Sequence, residues 1–193
     1  LGDKGTILKI TEDIKDIKPP TPLNTTALIV SGNSIGFTAS KTVNIAESLY
    51  MNGYISYPRT DNTVYPSSIN LEEIVKILGA SDEYSKMSQK VLAQKNIVAT
   101  RGKKRSTDHP PIHPTSLAEK NNLTADEWKL YDMIVRRFIC TLLPPAKVKN
   151  VNASININGE PFVASGSNIV EANWIEFYPY YKYKDVYIPQ LKE

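Results

Sequence analysis

The chain has 193 residues, 41% hydrophobic and 22% charged, with a net charge of +3. This is enough to bury a core in one or two domains, with no apolar run as long as a membrane span and no signal-peptide pattern. The near balance of charge excludes a chain that is basic throughout, and the single Cys140 excludes an internal disulfide and fits a reducing cytoplasm. The chain opens on Leu1-Gly2-Asp3 instead of Met and reads as a piece of something longer.

Residues 5–18 alternate Ile7, Leu8, Ile10, Ile14 and Ile17 with charges and predict a strand. Pro19-Pro20-Thr21-Pro22 then makes a stiff extended link. Asn24 or Thr25 caps a short helix that Gly32-Asn33 ends. The next helix runs from near Ser40 to Asn52, with Val43, Ala46, Leu49 and Tyr50 on one face and Gly53 as its stop. Pro66 suits the first turn of a third helix, through Ile69, Ile74, Ile77 and Leu78 to Gly79. Ser81 caps a fourth, whose inner face carries Tyr84, Met87, Val91 and Leu92.

Residues 94–115 are irregular, with a basic run from Arg101 to Arg105 and a proline-stiffened end, TDHPPIHPT. Thr124-Ala125-Asp126-Glu127 is a capping box opening a fifth helix that stops before Pro144-Pro145. Arg136 and Arg137 are expected on its solvated face. From Ala146 the period changes to two. Val151, Ala153, Ile155 and Ile157 alternate, Asn158-Gly159 turns and Phe162-Val163 returns, a hairpin signal. A further strand is expected over about Ile169–Phe177, then an aromatic and lysine-rich tail, Tyr178–Tyr187. The fold class is α+β. A mainly helical domain, 24–143, is inserted into a β-rich domain made of 1–23 and 144–193.

The chemistry concentrates at GYISYPRTDN, residues 53–62. Tyrosine is a poor nucleophile, since about one phenol in a thousand is ionised at pH 7. It becomes useful when a cation holds the target phosphate and offsets the developing charge. Arg59 offers a planar fork for two phosphate oxygens, and Pro58 biases Ser56-Tyr57 to extended geometry. The same string is also an ordinary strand exit, with Tyr57 as packing and Arg59 and Asp61 as a solvated pair. His109 and His113 are the chain's two histidines. The prolines around them exclude a helical metal pair, and no carboxylate or cysteine completes a ligand set. A histidine on a stiff loop near a phosphate fits better.

Residues 36–62, GFTASKTVNIAESLYMNGYISYPRTDN, resemble the active-site segment of type IA DNA topoisomerases in its archaeal form. DHPPIHPT, residues 108–115, is similar to a second motif of that family, and Pro144–Lys147 to the start of its returning strand. The resemblance implies Tyr57 as the nucleophile, joined to a DNA 5′-phosphate while a 3′-hydroxyl leaves. Arg59 and His109 would act on the scissile phosphate. Thr60 and Asp61 would have supporting or DNA-adjacent roles, and His113 would stand where bacterial relatives often have Arg. The substrate would be single-stranded or negatively supercoiled DNA on the nucleoid, and resealing would need no ATP. The β-rich part would be the arch, or gate. The family's Toprim domain, which binds Mg²⁺, and its helical DNA-groove domain have no counterpart in these residues. The piece alone is therefore expected not to relax DNA. A passive single-stranded nucleic-acid binder built on the basic loop and aromatic tail is the alternative. That alternative leaves Tyr57 with Arg59 unexplained; recombinases and relaxases resemble the chain less, and the density of motif matches counts against a structural module.

Overall fold

The computed structural model describes residues 5–187. The expectations for residues 1–4 and 188–193 as part of the β-rich domain lie outside the described residues. The described chain forms two compact units. One comprises 5–18, 145–173 and 182–187, and the other 19–144 and 174–181.

The first unit is an antiparallel sheet of three strands, β1 (Thr6–Ile17), β2 (Ala146–Ile157) and β3 (Glu160–Glu171), with β2 central. The β2–β3 hairpin closes through Asn158 and Gly159, at φ 53° and 91°, the paired left-handed conformation of a tight hairpin turn. Gly159 donates its N–H to the Asn156 side chain at 2.9 Å. This turn sets the register, which pairs Ile157 with Glu160 and Ala153 with Ala164. Residues 182–187 cover the outer edge of β3. Val186 bridges Ser167, the Tyr183 hydroxyl donates to Ser167 Oγ at 3.0 Å, and the Ile169 N–H donates to Asp185.

The expected strand at 169–177 is corrected. β3 ends at Glu171, and Asn173 turns the chain at φ 46°, a conformation asparagine tolerates. Residues Asn173–Phe177 form a 3₁₀ turn that buries Trp174 and Phe177. Residues 174–181 pack with the helices, not with the sheet.

The second unit holds α1 (Thr25–Ser34), α2 (Ala39–Met51), α3 (Leu71–Leu78), α4 (Asp82–Leu92) and α5 (Ala125–Cys140). Their N-caps are Asn24, Thr38, Asn70, Ser81 and Thr124, each accepting a backbone N–H in the first turn. Asn70 therefore starts α3, four residues after Pro66. Thr124 and Glu127 form the reciprocal box, and Glu127 also accepts the Ser48 hydroxyl at 2.6 Å, tying α2 to the start of α5. The hydrogen bond from Ser48, with those from Thr124, holds the Glu127 carboxyl below its ordinary pKa.

Helix α5 is the core of this unit, with Leu130, Tyr131, Ile134, Val135, Phe138 and Ile139 all buried. Arg136 is not on a solvated face. Its Nε donates to both oxygens of Asp132 at 2.8 and 2.9 Å. Asp132 also accepts the Tyr84 hydroxyl at 3.2 Å and the Tyr180 hydroxyl at 2.6 Å. The segment 174–181 lays Tyr180 over this carboxylate, which is what buries the arginine. Cys140 is fully buried, as a small apolar residue, and burial raises its thiol pKa. No helix among the described residues is long and apolar enough to cross a membrane.

Candidate active site

The site begins at the end of α2. Gly53, at φ 76°, lets the Tyr54 N–H return to the Leu49 carbonyl and the Gly53 N–H to Tyr50, both at 2.9 Å. This is a Schellman stop, which a residue with a Cβ would strain. The chain leaves it extended. Ile55 is buried and pairs with Pro114. The Ser56 N–H donates to the His113 carbonyl at 2.9 Å, and the Thr115 N–H to Tyr54 at 3.0 Å. Two stretches more than forty residues apart in sequence therefore lie side by side, GYISYPRTDN and DHPPIHPT.

That pairing delivers Tyr57 to His109. Their rings lie 4.6 Å apart, centroid to centroid, and the Tyr57 ring meets the Tyr50 ring edge-on at 5.3 Å. Tyr57 is half-buried while Arg59 and His109 are exposed. Arg59 reaches back to α2, where Glu47 Oε1 accepts from both its Nε, at 2.9 Å, and its Nη2. The hydrogen bond and charge of Glu47 raise the Arg59 pKa, and the nearby Tyr57 phenol adds a smaller push in the same direction. A phenol, a fixed guanidinium and an imidazole thus share one accessible patch.

The residues around this patch hold it in place. The Thr25 hydroxyl donates to the Pro58 carbonyl at 2.8 Å and accepts the Thr60 N–H at 2.8 Å. Thr60 is buried, and its hydroxyl donates to the His109 carbonyl at 3.1 Å. The Asn62 amide donates to the same carbonyl at 3.2 Å and to Ser106 at 2.8 Å. Thr60, expected in a supporting or DNA-adjacent role, fixes the backbone of His109. Asn62, 3% exposed, does the same work without having been singled out.

His113 is corrected. It is 6% exposed, its Nδ1 lies 2.7 Å from the Pro111 carbonyl, and its ring is flanked by Tyr65 and Phe138. Burial pushes its pKa below the usual value, so it does not stand as a cation for DNA at neutral pH. Asp61 is exposed, with Lys104 Nζ at 3.7 Å. Among the described residues no group of three or more His, Cys, Asp or Glu is placed to hold a metal ion.

Glu47 was the residue missed. It stands twelve positions before Arg59, on a helix read only for its apolar face. The one available hint was that an arginine beside a nucleophile needs something to aim it.

Comparison with known proteins shows likeness in sequence and in fold. The profile of the DNA topoisomerase family matches residues 2–193. DNA topoisomerase 1 of Archaeoglobus fulgidus is 43% identical over the whole of this chain, which spans 29% of that protein. DNA topoisomerase 3 of Schizosaccharomyces pombe is 34% identical over 92% of this chain and 29% of its own length. The full-length topoisomerase I of Thermotoga maritima superposes with a TM-score of 0.74 at 20% identity, over 98% of this chain and 32% of that one, a likeness of fold. The chain spans less than a third of the length of these relatives. Family profile and relatives together place the chain among the type IA DNA topoisomerases.

Proposed function

We propose that this chain supplies the tyrosine half of an active site that cuts and rejoins one DNA strand. The observation that carries the reading is the contact of Tyr57 with His109, 4.6 Å between ring centroids, beside an arginine held by Glu47. Tyr57 Oη attacks the scissile phosphorus, the phosphorus–O3′ bond breaks, and a 5′-phosphotyrosine forms. The phenol gives up its proton and the departing 3′-oxygen gains one. Ester is exchanged for ester, so the bond energy is kept and the reverse attack reseals the strand without ATP.

Arg59 offsets the charge gathering on the phosphate oxygens, and its fork suits two of them. His109, exposed and fixed through its carbonyl, contacts the same phosphate. Asp61 borders the DNA path. The family resemblance implies that Mg²⁺ would be held by an acidic Toprim domain of the same polypeptide. The ion would help place the phosphate when bound. The helical unit is read as inserted in a β-rich arch that opens to pass another strand. The setting is single-stranded or negatively supercoiled DNA on the cytoplasmic nucleoid. This chain without its partner domains does not relax DNA.

A covalent-trapping assay tests the reading. A single-stranded oligonucleotide labelled 3′ of the cleavage point is mixed with the complete polypeptide and Mg²⁺, then quenched in denaturant. The expected result is a labelled protein adduct that is lost in Tyr57→Phe. Retained DNA binding with no adduct under any condition would replace the proposal with a passive single-strand binder.

A further inference from the structure

One side of the reacting patch continues into a trough of about 680 Å³, within the size range of small-ligand sites. His109 forms part of its wall, so the trough begins where the Tyr57 contact ends. Tyr65, Ile69 and Val98 contribute to its lining, and so do Arg101 and Arg105. None of the described residues lining it is Asp or Glu. Among the described residues neither arginine has an ion-pair partner, whereas Lys104 between them faces Asp61.

The loop carrying these arginines is built. The Gly102 N–H donates to the Thr63 carbonyl at 2.9 Å, and the Thr63 N–H to Lys104 at 2.9 Å. The Thr63 hydroxyl exchanges two further hydrogen bonds with the Lys104 backbone, at 2.9 and 3.1 Å. Thr100 is anchored on Thr141 and on the Pro20 carbonyl. Two exposed arginines on an anchored backbone thereby share a trough of mixed apolar and polar lining in which none of the described residues is a carboxylate. That combination suits a ligand with repeating phosphates and flat, weakly polar bases.

We infer that this trough seats the nucleotides following the scissile phosphate, on the strand end that stays joined to Tyr57, with Arg101 and Arg105 on their phosphates. The inference rests on the phosphotyrosine reading above. Once Tyr57 carries the 5′-phosphate, the strand attached to it is tethered to this unit and must leave across the surface next to His109. The 3′-hydroxyl end has no such tether. Seating the tethered end would keep the phosphotyrosine aligned for resealing while the gate is open.

The test uses the complete polypeptide and two oligonucleotides with the same upstream sequence, one ending a single nucleotide past the cleaved bond and one extending several further. Affinity is measured in the Tyr57→Phe background across a salt series, and adduct yield in the parent. The extension is expected to tighten binding, and Arg101→Ala with Arg105→Ala to abolish that gain. The logarithmic salt slope for the long oligonucleotide should drop by about 1.4, for two single-strand phosphate contacts at about 0.7 each. The short oligonucleotide should give the same adduct yield in both proteins, which also verifies folding, and the double Lys variant should recover most of the gain. An extension that adds nothing, or adds equally with and without the arginines, overturns the inference while the Tyr57 adduct still stands. Absence of any Tyr57-dependent adduct overturns the reading beneath it and the inference together.

Discussion

Glu47 on α2 and Arg59 beyond the Tyr57 turn form a two-point contact, with Oε1 of the carboxylate accepting from Nε and Nη2. The helix therefore reaches the Tyr57–His109 patch twice. Its C-terminal stop aims Tyr57, and one turn earlier it aims the guanidinium. The Nη1 edge of Arg59 is left for another acceptor. Because the pair is exposed, its part in stability is small, and its effect should appear in the reaction.

Glu47→Gln is accordingly expected to slow formation of the covalent DNA adduct by about fivefold, through loss of a fixed arginine geometry, with an unchanged melting temperature. Arg59→Ala should slow it by roughly a hundredfold or more. Single-turnover rates with excess enzyme check both. A faster Glu47→Gln enzyme would mean that the carboxylate competes with the phosphate for Arg59.

His113 gives a pH dependence whose sign follows from burial. The native ring has a lowered pKa, while the unfolded ring titrates near 6.5, so below that value the unfolded chain binds more protons. Stability should therefore fall as pH drops from 6.5 toward the native pKa of His113, and this contribution should be absent above 6.5. The flanking Tyr65 is raised above its own ordinary pKa and stays neutral throughout that window. Melting temperatures at pH 5.5 and 7.5 measure the effect. His113→Asn should be less stable at both values, from the lost packing, but show a smaller difference between them.

Much of the fold was legible because its signals are local. The capping box at Thr124, the Ser81 cap, the Gly53 stop and the Asn158-Gly159 turn each act through neighbours a few residues away, and each does so in the structure. The motif around Tyr57 was legible for the same reason. What escaped were pairings made across the fold. Arg136 looked like a helix-end surface cation until Tyr180 and Tyr84 closed over Asp132. Thr60 was expected in a supporting or DNA-adjacent role, but nothing in its vicinity reveals the carbonyl of His109 as its partner. The expected strand through Trp174 had suitable residue types, but the left-handed Asn173 ends it and sends the aromatics to the helices.

The Asp132 network should carry a large share of the helical unit's stability. Asp132 is 8% exposed, and besides Arg136 it holds the hydroxyls of Tyr84 and Tyr180, both of whose pKa values burial raises. Asp132→Ala would strand the Arg136 charge, leaving Glu83 at 3.0 Å as its carboxylate partner and two hydroxyls without an acceptor. The expected loss is about 3 kcal/mol in urea unfolding. Asp132→Asn, which keeps one acceptor oxygen, should cost less. Equal losses would mean that packing of residues 174–181, not the carboxylate, holds this region.

Gly102 tests whether the basic loop is held in place by its contact with Thr63. A Cβ at 102 would come within 2.2 Å of Thr63 Oγ1 and 2.4 Å of its Cβ, far inside contact distance. Gly102→Ala must therefore push the loop from its anchor, at a cost of about 1–3 kcal/mol as in other overpacked sites. Thr63→Gly removes the obstructing hydroxyl, methyl and Cβ along with the side-chain hydrogen bonds to Lys104. In the double variant the two losses should fall short of their sum by at least about 0.5 kcal/mol, because one defect relieves the other. Urea unfolding of the parent, both singles and the double closes the cycle. Strict additivity would show that the loop relaxes without Thr63, and that Arg101 and Arg105 are not held where the structure has them.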